Sequence, residues 1–111
     1  MIASAREFLS AVETDPAPDR VAEALVQHLG SMSLAGLPPA SHTAWREMAA
    51  LLKVDATKPL PPRAIAAIAS WPKDRIAKLL EAARRLVGVL EQIENDRLED
   101  EVRDKMRRHY L

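Results

Sequence analysis

Cysteine is absent from this chain of 111 residues, and glycine and aromatic residues are scarce. Without cysteine the chain can form neither disulfides nor thiolate metal sites, which fits a reducing compartment. Charged residues near the N-terminus interrupt any apolar run typical of a secretory signal. The longest uncharged run, residues 24–45, contains prolines and polar residues and is unsuited to crossing a bilayer. We therefore expect a cytoplasmic protein with no membrane association.

The regular alternation of apolar and polar residues that marks a β-strand is also absent. Instead, apolar residues recur at helical spacing through most of the chain. This pattern predicts an all-α fold. Four short helices are expected, over residues 2–13, residues 18–29, the residues that follow the N-cap Ser41, and about residues 62–69.

The longest predicted helix covers residues 71–111, with Ser70 as its N-cap. After Pro72 it contains no proline and a single glycine, Gly88, which indicates either close packing against a neighbour or a kink. Some forty residues extend roughly 60 Å, about twice the diameter of a small domain. We therefore predict a single domain, residues 1–111, in which the four short helices pack on the base of the long helix. Its compact body spans about 1–90, and its projecting helix spans about 91–111.

The second half of the long helix is typical of a coiled-coil seam, because a narrow apolar stripe runs along an otherwise charged helix. The heptad frame is interrupted where Arg97 and Asp100 occupy seam positions, and it continues at Leu98. We expect this helix to form a homodimer or to bind a protein partner. The predicted interface residues are Leu86, Leu90, Ile93, Leu98, Val102 and Met106.

Charge is sorted into blocks although the net charge of the chain is zero. Residues 1–57 carry −3, residues 58–85 carry +5, residues 86–104 carry −5 and residues 105–111 carry +3. In an antiparallel dimer, the basic 73–85 segment of one chain could face the acidic 91–104 segment of the other.

Catalytic and metal-binding motifs are missing from the sequence. His28, His42 and His109 lie far apart, in different predicted elements. Neighbouring acids such as Asp15 and Asp19 are better explained as helix-start residues that face the positive end of the helix dipole. We expect a non-enzymatic protein that uses no cofactor and no metal.

One stretch of the sequence indicates a more specific function. The segment IAAIASWPKDRIAKLL, residues 65–80, resembles the helix-turn-helix of bacterial DNA-binding regulators. The resemblance implies buried contacts at Ile65, Ala69 and Ile76, with Trp71 in the turn. It also implies that basic residues of the second helix meet DNA. The candidate nucleic-acid contacts are Arg63, Lys73, Arg75, Lys78, Arg84 and Arg85.

Two functions therefore remain open from the sequence. The first is an α-helical interaction protein that self-associates or binds a partner through its long helix. The alternative is a small dimeric helix-turn-helix regulator that reads DNA with residues 63–85.

Overall fold

The computed structural model describes residues 2–110, including the side chains of residues 2–106. The predicted all-α fold is confirmed, and this part of the chain contains no strand. Its α-helices are α1 (Ile2–Thr14), α2 (Pro18–Ala24), α3 (His42–Leu52), α4 (Pro62–Ala67) and α5 (Lys73–Tyr110). A wider π-helical turn, Leu25–Leu29, continues α2 to the end predicted for the second helix. Leu111, the predicted last residue of the long helix, lies outside the described residues.

Proline and serine set the starts of the helices, but not always as predicted. Pro18 and Pro62 occupy first-turn positions, where a missing amide costs nothing. Ser41 and Ser70 do not act as N-caps; their hydroxyls instead donate backwards, to the carbonyls of Pro38 at 2.7 Å and Ala67 at 2.9 Å. Because Trp71 is extended, α5 begins at Lys73, two residues later than predicted.

The segment after α3 is held by a tight helix end and by Trp45. Lys53 adopts a left-handed conformation (φ 56°), and the amide of Val54 reaches back to the carbonyl of Ala49 at 3.0 Å, which closes α3 in a Schellman-type turn. The buried Trp45 donates its indole N–H to the carbonyl of Ala56 at 3.1 Å. Beside it, the hydroxyl and amide of Thr57 donate to Asp55 and lower the pKa of that carboxyl below its ordinary value.

The first part of α5 lies against α1 and α3 and contributes the centre of the core. Leu79, Ala82 and Leu86 are almost completely buried there. Gly88 does not pack closely against a neighbour, because a Cβ built on it would meet nothing within 4 Å. The helix continues through this glycine without interruption. Of the two interpretations of Gly88, close packing is therefore wrong, and the helix is not broken there.

Burial ends abruptly along α5. Among the described side chains Leu90 is the last that is buried, those in 91–94 are mostly half-buried, and every one from 95 to 106 is exposed. We call residues 73–94 the base of α5 and residues 95–110 the projecting segment. At 1.5 Å per residue the projecting segment is about 24 Å long, and the molecule is 61 Å in its longest dimension. No helix in the described part of the chain is long and apolar enough to span a membrane.

Candidate functional site

Three large apolar side chains are exposed on the projecting segment. Leu98, Val102 and Met106 are 46%, 54% and 53% exposed, and they follow one another at intervals of four residues. We call these three residues the apolar stripe. Among the described residues, Val26 is the other large apolar side chain with comparable exposure, and it lies alone on the π-helical turn. A run of exposed apolar side chains on a charged helix is typical of a contact surface.

The remaining predicted interface residues have other environments. Leu86 and Leu90 are only 1% and 4% exposed and belong to the core of their own chain, so a partner cannot reach them in this fold. Ile93 is half-buried at the edge of that core. This corrects the assignment of Leu86 and Leu90 to a partner interface and leaves the apolar stripe as its exposed part.

The apolar stripe and the core face point in different directions around α5. At 100° per residue, Leu98 lies about 80° around the helix from Leu90, and each step of four residues adds about 40° in the same sense. The stripe therefore turns progressively away from the face that packs in the body. This rotation explains why the heptad frame of the base does not continue into the projecting segment.

Charged side chains flank the apolar stripe on both sides. Glu99 and Arg103 lie on one flank, and Glu101 and Lys105 lie on the other, as the helical period requires. The acid and base on each flank are four residues apart, a spacing that favours an ion pair within the helix. Neither pair comes within 4 Å, whereas Arg97 pairs with Glu94 at 2.9 Å. The side chain of Arg108, which would pair with Asp104, lies outside the described side chains.

Two adjacent basic residues in the base of α5 form ion pairs with other helices of the same chain. Arg84 pairs with Glu13 of α1 at 3.1 Å, and Arg85 pairs with Glu47 of α3 at 2.8 Å. A third pair, from Arg6 to Glu91, joins the start of α1 to the end of the base at 3.1 Å. These surface ion pairs connect both neighbouring helices to α5.

Arg75 also has a role within the fold. Its guanidinium lies 4.2 Å from the centre of the Trp71 ring and donates to the carbonyl of Leu51 at 3.0 Å. That carbonyl belongs to the last turn of α3, where backbone acceptors have no partner within the helix. Arg75 therefore caps α3 from α5.

Arg63, Lys73 and Lys78 are exposed and form no ion pair within the described residues. Lys73 and Lys78 lie about 140° apart around α5, so they point to different sides of the helix. Of the contacts implied by the helix-turn-helix resemblance, Ile65 and Ile76 are buried and Trp71 is half-buried. Ala69 is exposed, so its predicted burial is wrong. On the exposed side of α5 the basic residues are interrupted by two acids, Asp74 and Glu81.

A concave region that the sequence did not indicate lies at the start of α5. An open groove of about 480 Å³ is bounded by the α1–α2 connection and by Lys73, Ile76, Ala77 and Leu80. Its lining is mainly apolar, and Asp15 and Lys73 are its charged residues. Within residues 2–106 no group of three or more His, Asp or Glu side chains is placed to hold a metal ion.

No protein-family model matches the chain, and neither a curated protein nor a solved structure is significantly similar to it.

Proposed function

We propose that this protein is a non-enzymatic interaction protein that self-associates through the projecting segment of α5. The observation that carries the proposal is the apolar stripe, because Leu98, Val102 and Met106 remain about half exposed on a helix that extends beyond its own body. On its own in water such a segment is only marginally stable as a helix, because most helical stability comes from packing an apolar face. A partner helix would supply that packing.

The expected association is weak and reversible. About half of each stripe side chain remains to be buried, which is worth roughly 1 kcal/mol per residue. Association of two chains costs an estimated several kcal/mol in lost translational and rotational freedom. Three side chains from each chain exceed that cost by a few kcal/mol at most, which corresponds to a dissociation constant in the millimolar range. Dimers should therefore form at about millimolar concentration and exchange readily with monomers.

The test is sedimentation velocity of the wild-type chain over a concentration series from low micromolar to millimolar. The mean mass should rise from one chain towards two. Leu98→Asp should remain at one chain mass over the same series, while its far-ultraviolet circular dichroism and thermal unfolding match the wild type. A wild-type mass of one chain at every concentration would contradict the proposal.

Val26→Asp is the matched control, because it introduces the same charge at an exposed apolar residue outside α5. It should leave the mass series unchanged. If Val26→Asp abolished association and Leu98→Asp did not, the contact surface would lie on the α2 side of the body.

The DNA-binding alternative has less support. Arg75, Arg84 and Arg85 have partners within the chain. The acids Asp74 and Glu81 lie on the same exposed side of α5 as the basic candidates. Non-specific DNA affinity depends on several cations that meet phosphates together. The measurement that tests this alternative is fluorescence anisotropy with random duplex DNA. Binding at low salt that weakens steeply as salt rises, and that is lost in Lys73→Ala/Lys78→Ala, would favour DNA binding.

A further inference from the structure

We infer that the partner of the apolar stripe is a second copy of this chain in antiparallel orientation, with Val102 at the centre of the pair. The inference rests on the proposed self-association and adds the orientation and register of the two helices. In this arrangement Leu98 of each chain packs beside Met106 of the other, and the two Val102 side chains meet at the two-fold axis. The largest apolar side chains are thereby matched with one another.

The flanking charges carry the argument for orientation. A two-fold axis perpendicular to the two helices brings each flank of one helix against the same flank of the other. On one flank, Glu99 then lies about 3 Å along the axis from Arg103 of the second copy, counting 1.5 Å per residue. On the other flank, Glu101 lies at the same offset from the second Lys105. Each flank then has two attractive pairs and one like-charge pair at the same offset, Arg103 with Arg103 on the first flank and Glu101 with Glu101 on the second, so attraction prevails.

A parallel, in-register pair would reverse this outcome. Its two-fold axis runs along the helices and brings opposite flanks together, so that Glu99 faces Glu101 and Arg103 faces Lys105. Each side of the stripe would then have two like-charge pairs against one attractive pair, Arg103 with Glu101, so the flanks would oppose association. Glu99 and Arg103 form no ion pair within their own helix, nor do Glu101 and Lys105, so their charges are available to a second chain.

The antiparallel register expected from the charge blocks, with 73–85 facing 91–104, is less favourable than pairing centred on Val102. Arg84 and Arg85 are paired with Glu13 and Glu47, and α1 and α3 flank the base of α5. Pairing centred on Val102 instead uses only the part of the helix that extends beyond the body. The acidic block ends and the basic block begins close to this centre.

Orientation can be measured directly with a single spin label, because the chain has no native cysteine. Gly88→Cys is suitable since a Cβ there meets no neighbour within 4 Å. Antiparallel pairing centred on Val102 places the two labelled positions about 42 Å apart along the helix axes. Parallel pairing leaves them separated by little more than the interhelical distance of about 10 Å. A pulsed-dipolar distance distribution near the longer value supports the inference, and one near the shorter value overturns it.

Charge reversal tests whether the flanks of the stripe face a second chain, while the spin label decides the orientation. Glu99→Lys/Glu101→Lys makes both flanks basic and should weaken self-association roughly tenfold or more. Asp100→Lys/Asp104→Lys makes the same change in net charge, but both residues lie on the opposite face of the helix, so it should leave the dissociation constant within about twofold. An equimolar mixture of Glu99→Lys/Glu101→Lys with Arg103→Glu/Lys105→Glu should associate, although each variant alone does so poorly.

The outcomes separate the two proposals. If the wild-type chain never exceeds one chain mass, the proposed self-association itself fails. If the wild type associates and Leu98→Asp does not, but both charge-reversed variants behave alike, the dimer uses the stripe and the antiparallel register is wrong.

Discussion

The two parts of α5 use apolar residues for different purposes. The base, residues 73–94, buries its leucines against α1 and α3, whereas the projecting segment, residues 95–110, keeps the apolar stripe about half exposed. Both parts have apolar residues at helical spacing, and both are rich in charge. The difference teaches that periodicity identifies a face that needs a partner, but it does not say whether the same chain supplies that partner.

The sharpest comparison is between Leu79→Ala and Leu98→Ala, two identical substitutions in one helix. Leu79 is completely buried, so its truncation leaves a cavity and should lower the free energy of unfolding by about 2–5 kcal/mol. Leu98→Ala should change it by less than about 0.5 kcal/mol in dilute protein. Urea denaturation followed by circular dichroism measures both. Equal losses would mean that the projecting segment packs on the body.

Arg75→Ala tests the contact that joins the start of α5 to the end of α3. Loss of a charged hydrogen bond and of the Trp71 contact should cost about 1–2 kcal/mol of unfolding free energy. Arg103→Ala removes the same side chain from the projecting segment and should cost almost nothing in the monomer. Thermal unfolding of both variants at low concentration distinguishes them. Equal unfolding midpoints would contradict the proposed capping of α3 by Arg75.

Gly88→Ala tests the helix near the junction of the two parts. Since the added Cβ meets nothing within 4 Å, the gain in helix propensity should raise the unfolding free energy by about 1 kcal/mol. Gly30→Ala is the opposite case, because its Cβ would lie 2.8 Å from the carbonyl oxygen of Val26. It should destabilise the protein. A loss of stability in Gly88→Ala would indicate that the glycine is needed for a bend or a contact.

The smallest effect is expected from Arg84→Gln. Its ion pair with Glu13 joins α1 to the base, but both side chains are about half exposed, so solvent screens the attraction. We expect a loss of about 0.5 kcal/mol or less, reduced further in high salt. Arg103→Gln should show no such salt-dependent loss. A loss of several kcal/mol from Arg84→Gln would mean that electrostatics, and not apolar burial, attaches α1 to α5.

The sequence was sufficient to predict the all-α fold, the short helices before the long one, and the proline-rich segment between α3 and α4. These depend on local periodicity and on where proline interrupts a helix. The division of the long helix was harder, because Leu90 and Leu98 look alike in a heptad frame. Only the position of α1 and α3 reveals that Leu90 is covered and Leu98 is not.

The partners of single side chains could not be predicted for a similar reason. Arg84 and Glu13 are 71 residues apart, and the cap from Arg75 to the carbonyl of Leu51 spans 24 residues. Sequence spacing within one helix carries no information on such contacts. The two serines illustrate a local ambiguity, since a serine before a helix can donate backwards to a carbonyl as readily as it caps forwards.

Hydrogen exchange along α5 at low and high protein concentration tests the central claim most directly. We predict that amides of the base are well protected at both concentrations, because their helix is packed in the core. Amides between Leu98 and Met106 should exchange rapidly in dilute protein and become protected as concentration rises. Exchange in the projecting segment that does not depend on concentration would contradict its assignment as the self-association surface.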